Sequence, residues 1–552
     1  MLKKLFFIFL FLIFFGVTPA FCYDKETYVR VGISDTYFSK YVFSQIDLYS
    51  DDGLKITDTT TGQTFSPENG RISVNFSNGT FDIFDGDIVK IKGSTGPINI
   101  RTAENSTIGI ANLKRAGKPA AYRGRIDLVR NAQGKGFAIV NVLTLQNYLK
   151  GVVPNEMPVA FGLEALKAQC VAARNYVMKA TEKYSPFYDV YDSVASQVYF
   201  GAKSEKELSN RAVEETDGLF SLYNGNLILA LYSSTAGGYT ESYDNAFIDK
   251  SNGFFSSNPH PYLKAVPDVV GMKNLSDEDS AREFYTTKPE TYDNNSPLYR
   301  WTREWEMEEF IEMLNKTMLE QKSRPVFTED DKFTQLKEVQ IKQRGHSGKV
   351  MYVEIVTENG SYTFAKELVL RRLFKKNGKA LPSANFVCDS YVDENGLMKI
   401  KFTGGGYGHG VGMSQFGAGK MGKKGYKFVD ILEHYYSDTT VGTLPVKLTS
   451  EYGKNSSRQS FFVSSGLHAE IVFSDIIGLD RLDMLVNGQT VKAEFGSFLN
   501  RKTNFDISRY LKTGENVVQI EVPAEYNDAK SVTFYIRIKG KQQNVHQKYI
   551  LI

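Results

Sequence analysis

The chain has 552 residues, more than one ordinary domain accommodates, which predicts two to four domains. Hydrophobic residues make up 42% and charged residues 23%, a balance that is typical of a globular protein with apolar cores and excludes a disordered one. The net charge of +3 is small for this length and evenly spread, so we expect no nucleic-acid partner.

The N-terminus has the order of a secretory signal peptide. A short positive start precedes a continuous apolar run over residues 5–17, and the small residues Ala20 and Cys22 follow where a signal peptidase would cleave. We expect residues 1–22 to be removed and the protein to be exported, to act outside the cell, in the cell wall or at the outer face of the membrane. The run is short for a membrane span, and an uncleaved anchor extended through residues 18–23 would be the only expected contact with a membrane.

Residues 28–145 are predicted to be rich in β-structure. Apolar and polar residues alternate over residues 29–33, 72–76 and 88–92, which is the pattern of half-buried strands. Asn-Gly and Asp-Gly pairs between such segments favour tight hairpin turns. A further hairpin is predicted between residues 122 and 145.

Three helices are predicted beyond this region. Apolar residues recur every three or four positions over residues 163–180, as on a helix of about five turns with one buried stripe. A second amphipathic helix is predicted over residues 306–322, a hairpin over residues 350–364 and a third helix over residues 428–435. Cys170 lies on the stripe of the first helix, so we interpret it as a buried small residue and not as a reactive thiol.

β-Structure is predicted to return after a polar stretch over residues 451–460. Strands are expected at residues 470–473, 516–522 and 531–538. We interpret residues 461–552 as a separate β-sandwich. The stretch from Phe505 to Glu521 resembles part of jelly-roll carbohydrate-binding domains, although any β-sandwich carries such a pattern. The fold class is therefore α+β, with a mixed central domain over residues 146–445 between a β-rich N-terminal region and a C-terminal β-sandwich.

The first candidate site lies where the β-rich region meets the first predicted helix. Glu156 is held between two prolines, Pro154 and Pro158, beside the apolar side chains of Val153 and Met157. Apolar surroundings disfavour the charged form of a carboxyl group, which suits a general acid that keeps its proton near neutral pH. A glutamate that caps a helix start or forms an ion pair there is the alternative interpretation.

The second candidate site is a turn rich in hydroxyl groups and glycine over residues 230–241. A predicted strand leads into Ser233, Ser234 and Thr235, and two glycines follow. These side chains can hydrogen-bond a polar ligand, and the glycines let backbone approach it closely. A tight surface turn without a ligand is the alternative interpretation.

The third candidate site is a glycine-rich stretch around His409. Seven glycines lie within residues 404–417, and Ser414 and Gln415 follow the histidine. The stretch is not a phosphate loop, since no Lys-Ser or Lys-Thr follows the glycines, and no strand–helix unit with a later acidic residue frames it as a dinucleotide site. With glycine on both sides, His409 can reach a ligand or serve the fold, and the residues alone leave both interpretations open.

The three segments, in this order, resemble the SpoIID/LytB family of stage II sporulation proteins and amidase enhancers. The segments Leu163–Gln169 with Arg174, Gln197–Gly201 and Ser347–Val350 also match elements of that family. The resemblance covers residues 31–440 and depends on long motifs.

The resemblance implies a peptidoglycan lytic transglycosylase. Such an enzyme cleaves the bond between N-acetylmuramic acid and N-acetylglucosamine without water and leaves a 1,6-anhydro end, on glycan strands already stripped of their peptides. Glu156 would be its single general acid and base, whereas a glycoside hydrolase needs two carboxylates. The residues that the resemblance places along the glycan groove are Arg174, Ser233, Ser234, Thr235, His409, Ser414 and Gln415.

The chain departs from the family over residues 189–197. Several family members carry there a cluster of cysteine and histidine suited to zinc. Tyr191, Ala195 and Ser196 stand at the positions of those ligands, so we predict no zinc at this place and no other cofactor. We expect Tyr191 to fill the space by packing.

Two other functions stay open. The first is a non-catalytic module that binds the cell wall and enhances a partner N-acetylmuramoyl-L-alanine amidase; such a module needs no proton donor at Glu156. The second is a wall-remodelling scaffold with a degenerate central domain, in which residues 28–145 and 461–552 do the work. The sequence leaves open whether the process is sporulation, septum splitting or general wall turnover.

Overall fold

The computed structural model describes residues 27–179, 185–247, 260–269, 271–497, 500–524 and 529–540. The expected signal peptide, residues 1–22, therefore lies outside the described residues. Within the described ranges, no helix is both long and apolar enough to cross a membrane. The fold is α+β, which confirms the predicted class.

The N-terminal region is built from two sheets that pack face to face. Its strands are β1 Tyr28–Ile33, β2 Gln45–Tyr49, β3 Lys55–Asp58, β4 Thr64–Phe65, β5 Arg71–Ser77, β6 Thr80–Asp85, β7 Ile88–Ser94, β8 Ile98–Arg101, β9 Ile108–Arg115, β10 Lys118–Tyr122, β11 Arg125–Arg130 and β12 Phe137–Thr144. One sheet has the order β1-β12-β11-β8-β3-β4 and the other β10-β9-β2-β5-β6-β7. The ring centroid of Phe81 on β6 lies 5.4 Å from that of Phe137 on β12, across the shared core. The hairpin predicted between residues 122 and 145 is confirmed by β11 and β12.

Helix α2 forms the centre of the middle region. The helices are α1 Leu145–Glu156, α2 Leu163–Lys179, α3 Glu207–Glu214, α4 Tyr243–Ala246, α5 Glu278–Thr286, α6 Met307–Glu320, α7 Glu367–Leu373, α8 Gln415–Lys423 and α9 Phe428–Tyr435. The helices predicted over residues 163–180, 306–322 and 428–435 are confirmed as α2, α6 and α9. The expectation of one buried stripe on α2 is wrong. Every residue over 165–175 is buried, because α1, α3, α8 and α9 pack around this helix. Cys170 is fully buried, as predicted.

Short sheets surround this helix. Their strands are β13 Val190–Tyr191, β14 Phe220–Tyr223, β15 Asn226–Leu227, β16 Tyr232–Ser233, β17 Trp301–Glu306, β18 Leu336–Arg344, β19 Val350–Thr357, β20 Ser361–Ala365, β21 Phe386–Val392, β22 Met398–Gly404, β23 Met413–Ser414 and β24 Thr440–Gly442. Strand β13 pairs in parallel with β1, and β16 pairs in parallel with β23. Two further sheets have the orders β17-β22-β21 and β18-β19-β20, and the hairpin predicted over residues 350–364 is confirmed by β19 and β20.

The C-terminal region is a β-sandwich with one sheet that continues into the middle region. Its strands are β25 Val446–Thr449, β26 Ser456–Val463, β27 His468–Ile477, β28 Arg481–Val486, β29 Gln489–Glu494, β30 Asn504–Asp506, β31 Gly514–Glu521 and β32 Ser531–Lys539. One sheet has the order β26-β31-β28-β29, and the other runs β15-β14-β24-β32-β27-β30. Val441 pairs with Ile538 across this junction. The expectation of a separate sandwich that begins at residue 461 is therefore corrected. Its first strands, β25 and β26, begin before that residue, and backbone hydrogen bonds of β24 join β32 to the middle region.

Candidate active site

Glu156 lies at the C-terminal end of α1, where the N-terminal and middle regions meet. Thr144 caps the start of the helix, its hydroxyl accepting the Asn147 N–H at 3.4 Å, and Met157 ends the helix in an extended conformation. Val153 and Met157 are fully buried beside the carboxyl group. The alternative of a glutamate at a helix start is wrong, because the helix ends there.

The carboxyl group of Glu156 accepts a hydrogen bond through one of its two oxygens. Oε1 accepts the backbone N–H of Val198 at 2.6 Å, and none of the described residues donates to Oε2. Burial raises the pKa of this carboxyl group to about 7, while the Val198 hydrogen bond acts in the opposite direction. Its place at the negative end of a helix dipole also disfavours the charge. Near neutral pH the group therefore exists in both forms, as proton transfer in both directions requires.

A chain of hydrogen bonds passes beside Glu156. The Tyr148 hydroxyl donates to Gln197 Oε1 at 3.1 Å, and Gln197 Nε2 donates to the Tyr232 hydroxyl at 2.8 Å. Burial and the nearby Glu156 charge raise the pKa of both phenols, so both stay neutral. None of the three was expected as a site residue, although all three lie in segments that the family resemblance marks.

Gln415 is brought to Glu156, but it contacts the backbone and not the carboxyl group. Its Nε2 donates to the Glu156 carbonyl oxygen at 2.9 Å and to Gln169 Oε1 at 3.2 Å. Since Gln415 begins α8 and Gln169 lies on α2, this side chain ties three helices together. The contact fixes the third candidate segment against the first.

The second and third candidate segments lie side by side. Strands β16 and β23 place Ser233 beside Ser414, and Thr235 forms a bridge to Tyr407. Gly408 has a φ of 106°, and a Cβ there would lie 2.9 Å from the Ser233 Cβ, so only glycine allows this approach. The Ser233 hydroxyl is buried and has no hydrogen-bond partner among the described residues.

Asp293, a fully buried carboxylate, holds these two segments together. Its Oδ2 accepts the Thr235 hydroxyl at 2.6 Å, the Gly237 N–H at 2.8 Å and the Ser414 hydroxyl at 3.3 Å. Its Oδ1 accepts the Thr291 hydroxyl at 3.1 Å. Burial raises the pKa of this carboxyl group to about 6. Thr235 and Ser414 are themselves fully buried, and their hydroxyls bond to Asp293. The expectation that they line the glycan groove is therefore wrong.

His409 is half-buried and uncharged. Its Nδ1 accepts the Val411 N–H at 3.0 Å, and burial lowers the pKa of the ring to about 4. The ring centroid lies 5.5 Å from that of Phe247. A neutral ring can hydrogen-bond a sugar hydroxyl but does not supply a proton near neutral pH. Ser234 is half-buried as well, and its carbonyl oxygen accepts the Phe416 N–H at 3.0 Å.

Arg174 does not lie at this site. It is fully buried, and its Nη1 donates to the Leu219 carbonyl oxygen at 2.9 Å and its Nη2 to the Thr216 hydroxyl at 3.4 Å. The guanidinium group thereby fixes α2 to the turn before β14. The expected groove contact does not agree with this placement, because the hydrogen bonds point into the core.

The segment that departs from the zinc-binding pattern is packed by aromatic rings, as expected for Tyr191. The ring centroid of Tyr191 lies 4.7 Å from that of Tyr41 and 5.5 Å from that of Tyr188. The Ser196 hydroxyl accepts the Tyr191 N–H at 3.1 Å, and the side chain of Ala195 has no donor atom. These side chains do not suit zinc. The part of the chain that the structure describes contains no group of three or more His, Cys, Asp or Glu that could hold a metal ion.

These features make Glu156 the candidate acid–base group of the site. One partly buried carboxyl group has a pKa near neutrality and one oxygen that accepts no hydrogen bond from the described residues, and the polar side chains around it are uncharged. Perturbed carboxyl groups of this kind are typical of sites that transfer protons to a polar substrate.

Comparison with known proteins places the chain in a family. A family described as stage II sporulation protein matches residues 133–223, and a domain of unknown function (DUF8618) matches residues 249–412. The chain is similar to the amidase enhancer of Bacillus subtilis (strain 168), with 30% identity over 404 residues, 69% of this chain and 54% of that protein. It is also similar to stage II sporulation protein D of Bacillus amyloliquefaciens, with 29% identity over 319 residues, 55% of this chain and 75% of that protein. The chain belongs to the SpoIID/LytB family, which confirms the resemblance, and spans about half the length of the amidase enhancer.

Proposed function

We propose that the protein is an exported lytic transglycosylase that cleaves denuded peptidoglycan glycan strands, with Glu156 as its single general acid and base. The observation that supports this most is the state of the Glu156 carboxyl group. Its pKa is about 7, one oxygen accepts a backbone N–H, and the other accepts no hydrogen bond from the described residues. A carboxyl group matched to neutral pH can both give and take a proton there.

In the proposed reaction, Glu156 gives one proton and takes another. Protonated Glu156 donates to the glycosidic oxygen while the bond from that oxygen to C1 of N-acetylmuramic acid breaks. The 6-hydroxyl group of the same sugar attacks C1, and its proton passes to the Glu156 carboxylate. The products are a free 4-hydroxyl group on N-acetylglucosamine and a 1,6-anhydro ring. No water is consumed, and Glu156 returns to its protonated form.

A single carboxyl group agrees with this reaction better than with hydrolysis. A retaining hydrolase holds a second carboxylate about 5 Å from the first, and its charge would raise the pKa of the acid. Among the described residues, no second carboxylate contributes to the raised pKa of Glu156, because burial is the cause of that rise. The half-buried His409 ring is a polar group that remains for the sugar, whereas the Ser233 hydroxyl is buried.

A second candidate function is the enhancement of a cell-wall amidase without cleavage of glycan. The observation that favours it is the similarity to a protein named amidase enhancer. In that function the chain would bind glycan strands and an N-acetylmuramoyl-L-alanine amidase. Glu156 would then contribute to binding at most and would transfer no proton.

A digest of denuded glycan strands separates the two functions. The purified protein, Glu156→Gln and the control Glu214→Gln are incubated with the strands, and the fragments are analysed by mass spectrometry. Glu214 is a matched control because its side chain is 63% exposed on α3, where it forms a surface ion pair with Lys150. We expect 1,6-anhydro ends from the wild type and the control, and at least a hundredfold fewer from Glu156→Gln.

Uncut strands with all three proteins, each shown to be folded and to bind the strands, would overturn the transglycosylase. The amidase enhancer would then be tested by adding the purified protein to a cell-wall amidase. Equal amounts of anhydro fragments from the wild type and Glu156→Gln would instead support the transglycosylase activity but show that Glu156 is not its general acid.

A further inference from the structure

The segment that holds Glu156 is itself held by the N-terminal sheets. Val198, which donates to Glu156 Oε1, lies in the middle of residues 189–205, here called the 189–205 segment. Three arginines of the N-terminal region form ion pairs along it. These pairs are Arg30 with Asp189, Arg115 with Asp192, and Arg123 with Glu205.

The middle pair, Arg115 with Asp192, differs from the others by its burial. The side chains are 2% and 0% exposed, whereas those of Arg30 and Asp189 are 35% and 33% exposed. Asp192 also accepts the Ser34 N–H at 3.0 Å and the Ser34 hydroxyl at 2.8 Å. Arg115 ends β9 of one sheet and Ser34 follows β1 of the other, so Asp192 is bound by both N-terminal sheets.

A short backbone path leads from Asp192 to Glu156. The Asp192 carbonyl oxygen accepts the Tyr199 N–H at 3.2 Å, which closes the loop over residues 192–199. Inside this loop, Gln197 bonds the two phenols beside Glu156, and the Val198 N–H bonds its carboxyl group. The position of the loop therefore decides how Glu156 is held and how much water reaches it.

We propose that Arg115 and Asp192 are positioning residues for Glu156, through which the N-terminal sheets keep the catalytic carboxyl group in its bonded and partly buried place. This inference rests on the proposed function. It makes the N-terminal region a part of the active site and not an independent wall-binding module. Because a buried ion pair adds little net stability when both partners are replaced together, its removal should act on geometry more than on folding.

The test compares two double variants of the purified protein. Arg115→Met/Asp192→Asn removes the buried pair without leaving an unpaired charge, and Arg30→Met/Asp189→Asn removes the partly exposed pair. The second pair is a matched control, because β13 and β1 already join its two elements by backbone hydrogen bonds. Glycan cleavage gives kcat and KM. Carbon-13 NMR of labelled glutamate gives the titration midpoint of Glu156, assigned by the signal that Glu156→Gln lacks.

We expect Arg115→Met/Asp192→Asn to lower kcat at least tenfold with KM changed less than about threefold. The Glu156 midpoint should move from about 7 toward its ordinary value of 4.5, by about one unit or more, as water reaches the carboxyl group. The control should match the wild type in both measurements. A kcat and a midpoint equal to those of the control would overturn the inference.

The midpoint is independent of activity, so it decides the inference even if the wild type cuts no glycan and the proposed function fails. If circular dichroism shows that the double variant does not fold, Arg115→Lys decides. In the wild type, Arg115 Nη2 also donates to the Ser34 carbonyl oxygen at 2.8 Å and to its hydroxyl at 3.2 Å. Arg115→Lys keeps the charge but loses part of these contacts, so we expect a smaller shift of the midpoint in the same direction. A midpoint equal to that of the wild type would then overturn the inference.

Discussion

Two buried carboxyl groups of the molecule both have a raised pKa, but they differ in how many hydrogen bonds they accept. Burial raises the pKa of Glu156 to about 7 and that of Asp293 to about 6. Asp293 accepts four hydrogen bonds that use both of its oxygens, from three segments far apart in the chain. Glu156 accepts one, and nothing among the described residues donates to its second oxygen.

The difference shows that a raised pKa alone does not mark a catalytic group. A carboxylate whose lone pairs are all used stabilises the fold, since a substrate would have to displace existing donors. A carboxyl group with one oxygen that accepts no hydrogen bond can accept one from a substrate without displacing an existing donor. The Asp293 region is thus expected to respond to mutation in stability, and the Glu156 region in activity.

The largest expected effect is on stability, at Asp293. Asp293→Ala leaves four buried donors unpaired at once, so we expect the free energy of unfolding to fall by about 4 kcal/mol. Asp293→Asn keeps an oxygen for three of them and an amide that can donate to Thr291, and should cost about 1 kcal/mol. Urea titrations of both variants and of Glu156→Gln measure this. Equal losses for Asp293→Ala and Glu156→Gln would break the distinction between the two centres.

The next effect is the pH dependence of cleavage. Glu156 must carry its proton when substrate binds, so kcat/KM should fall about tenfold for each pH unit above the pKa of about 7. Between pH 7, where half of the group is protonated, and pH 9 this is a loss of about fiftyfold, measured as the initial release of anhydro ends at low substrate concentration. Asp293→Asn should leave the midpoint unchanged. A profile that is already falling at pH 5 would mean that Glu156 has an ordinary pKa.

Local features of this architecture could be predicted from the sequence. The helix over residues 428–435 and the hairpin over residues 350–364 follow from periodicity and turn residues within a few positions. The apolar surroundings of Glu156 could also be predicted, because Val153 and Met157 are its neighbours in the chain. In each case the information lies within one element.

Contacts between distant segments could not be predicted in this way. Asp293 is a lone carboxylate in a loop, and its role appears only when Thr235 and Ser414 are folded against it. Arginine often binds polar ligands, but Arg174 instead donates a hydrogen bond to the Leu219 carbonyl oxygen in the core. The pairing of β24 with β32 joins strands almost a hundred residues apart, and no local pattern indicates it.

A smaller effect links the Glu156 pKa to stability. The pKa is raised from 4.5 to about 7 on folding, so the stabilising contribution of the protonated group is present below pH 4.5 and is lost as pH rises through 7. We expect the wild type to lose about 2 kcal/mol relative to Glu156→Gln between pH 5 and pH 8, allowing for partial solvent access. Urea unfolding of both proteins at the two pH values measures the difference. Parallel curves would show that the carboxyl group is not perturbed.

The smallest effect is expected at Tyr232, which stands between the two centres on β16. Tyr232→Phe removes the hydroxyl that accepts Gln197 Nε2, while the second contact of that amide, 3.4 Å to the Ala173 carbonyl oxygen, stays. The cost should be about 1 kcal/mol in stability and a severalfold loss of kcat, with KM unchanged. Tyr452→Phe is the control, because that phenol is 93% exposed.

The pH midpoint of cleavage separates two roles for Tyr232. A loss of kcat without a change in this midpoint would mean that Tyr232 contacts the substrate. A shifted midpoint would mean that Tyr232 helps to hold Glu156 in place. If neither quantity changed, the hydrogen-bond chain would belong with Asp293, to the fold.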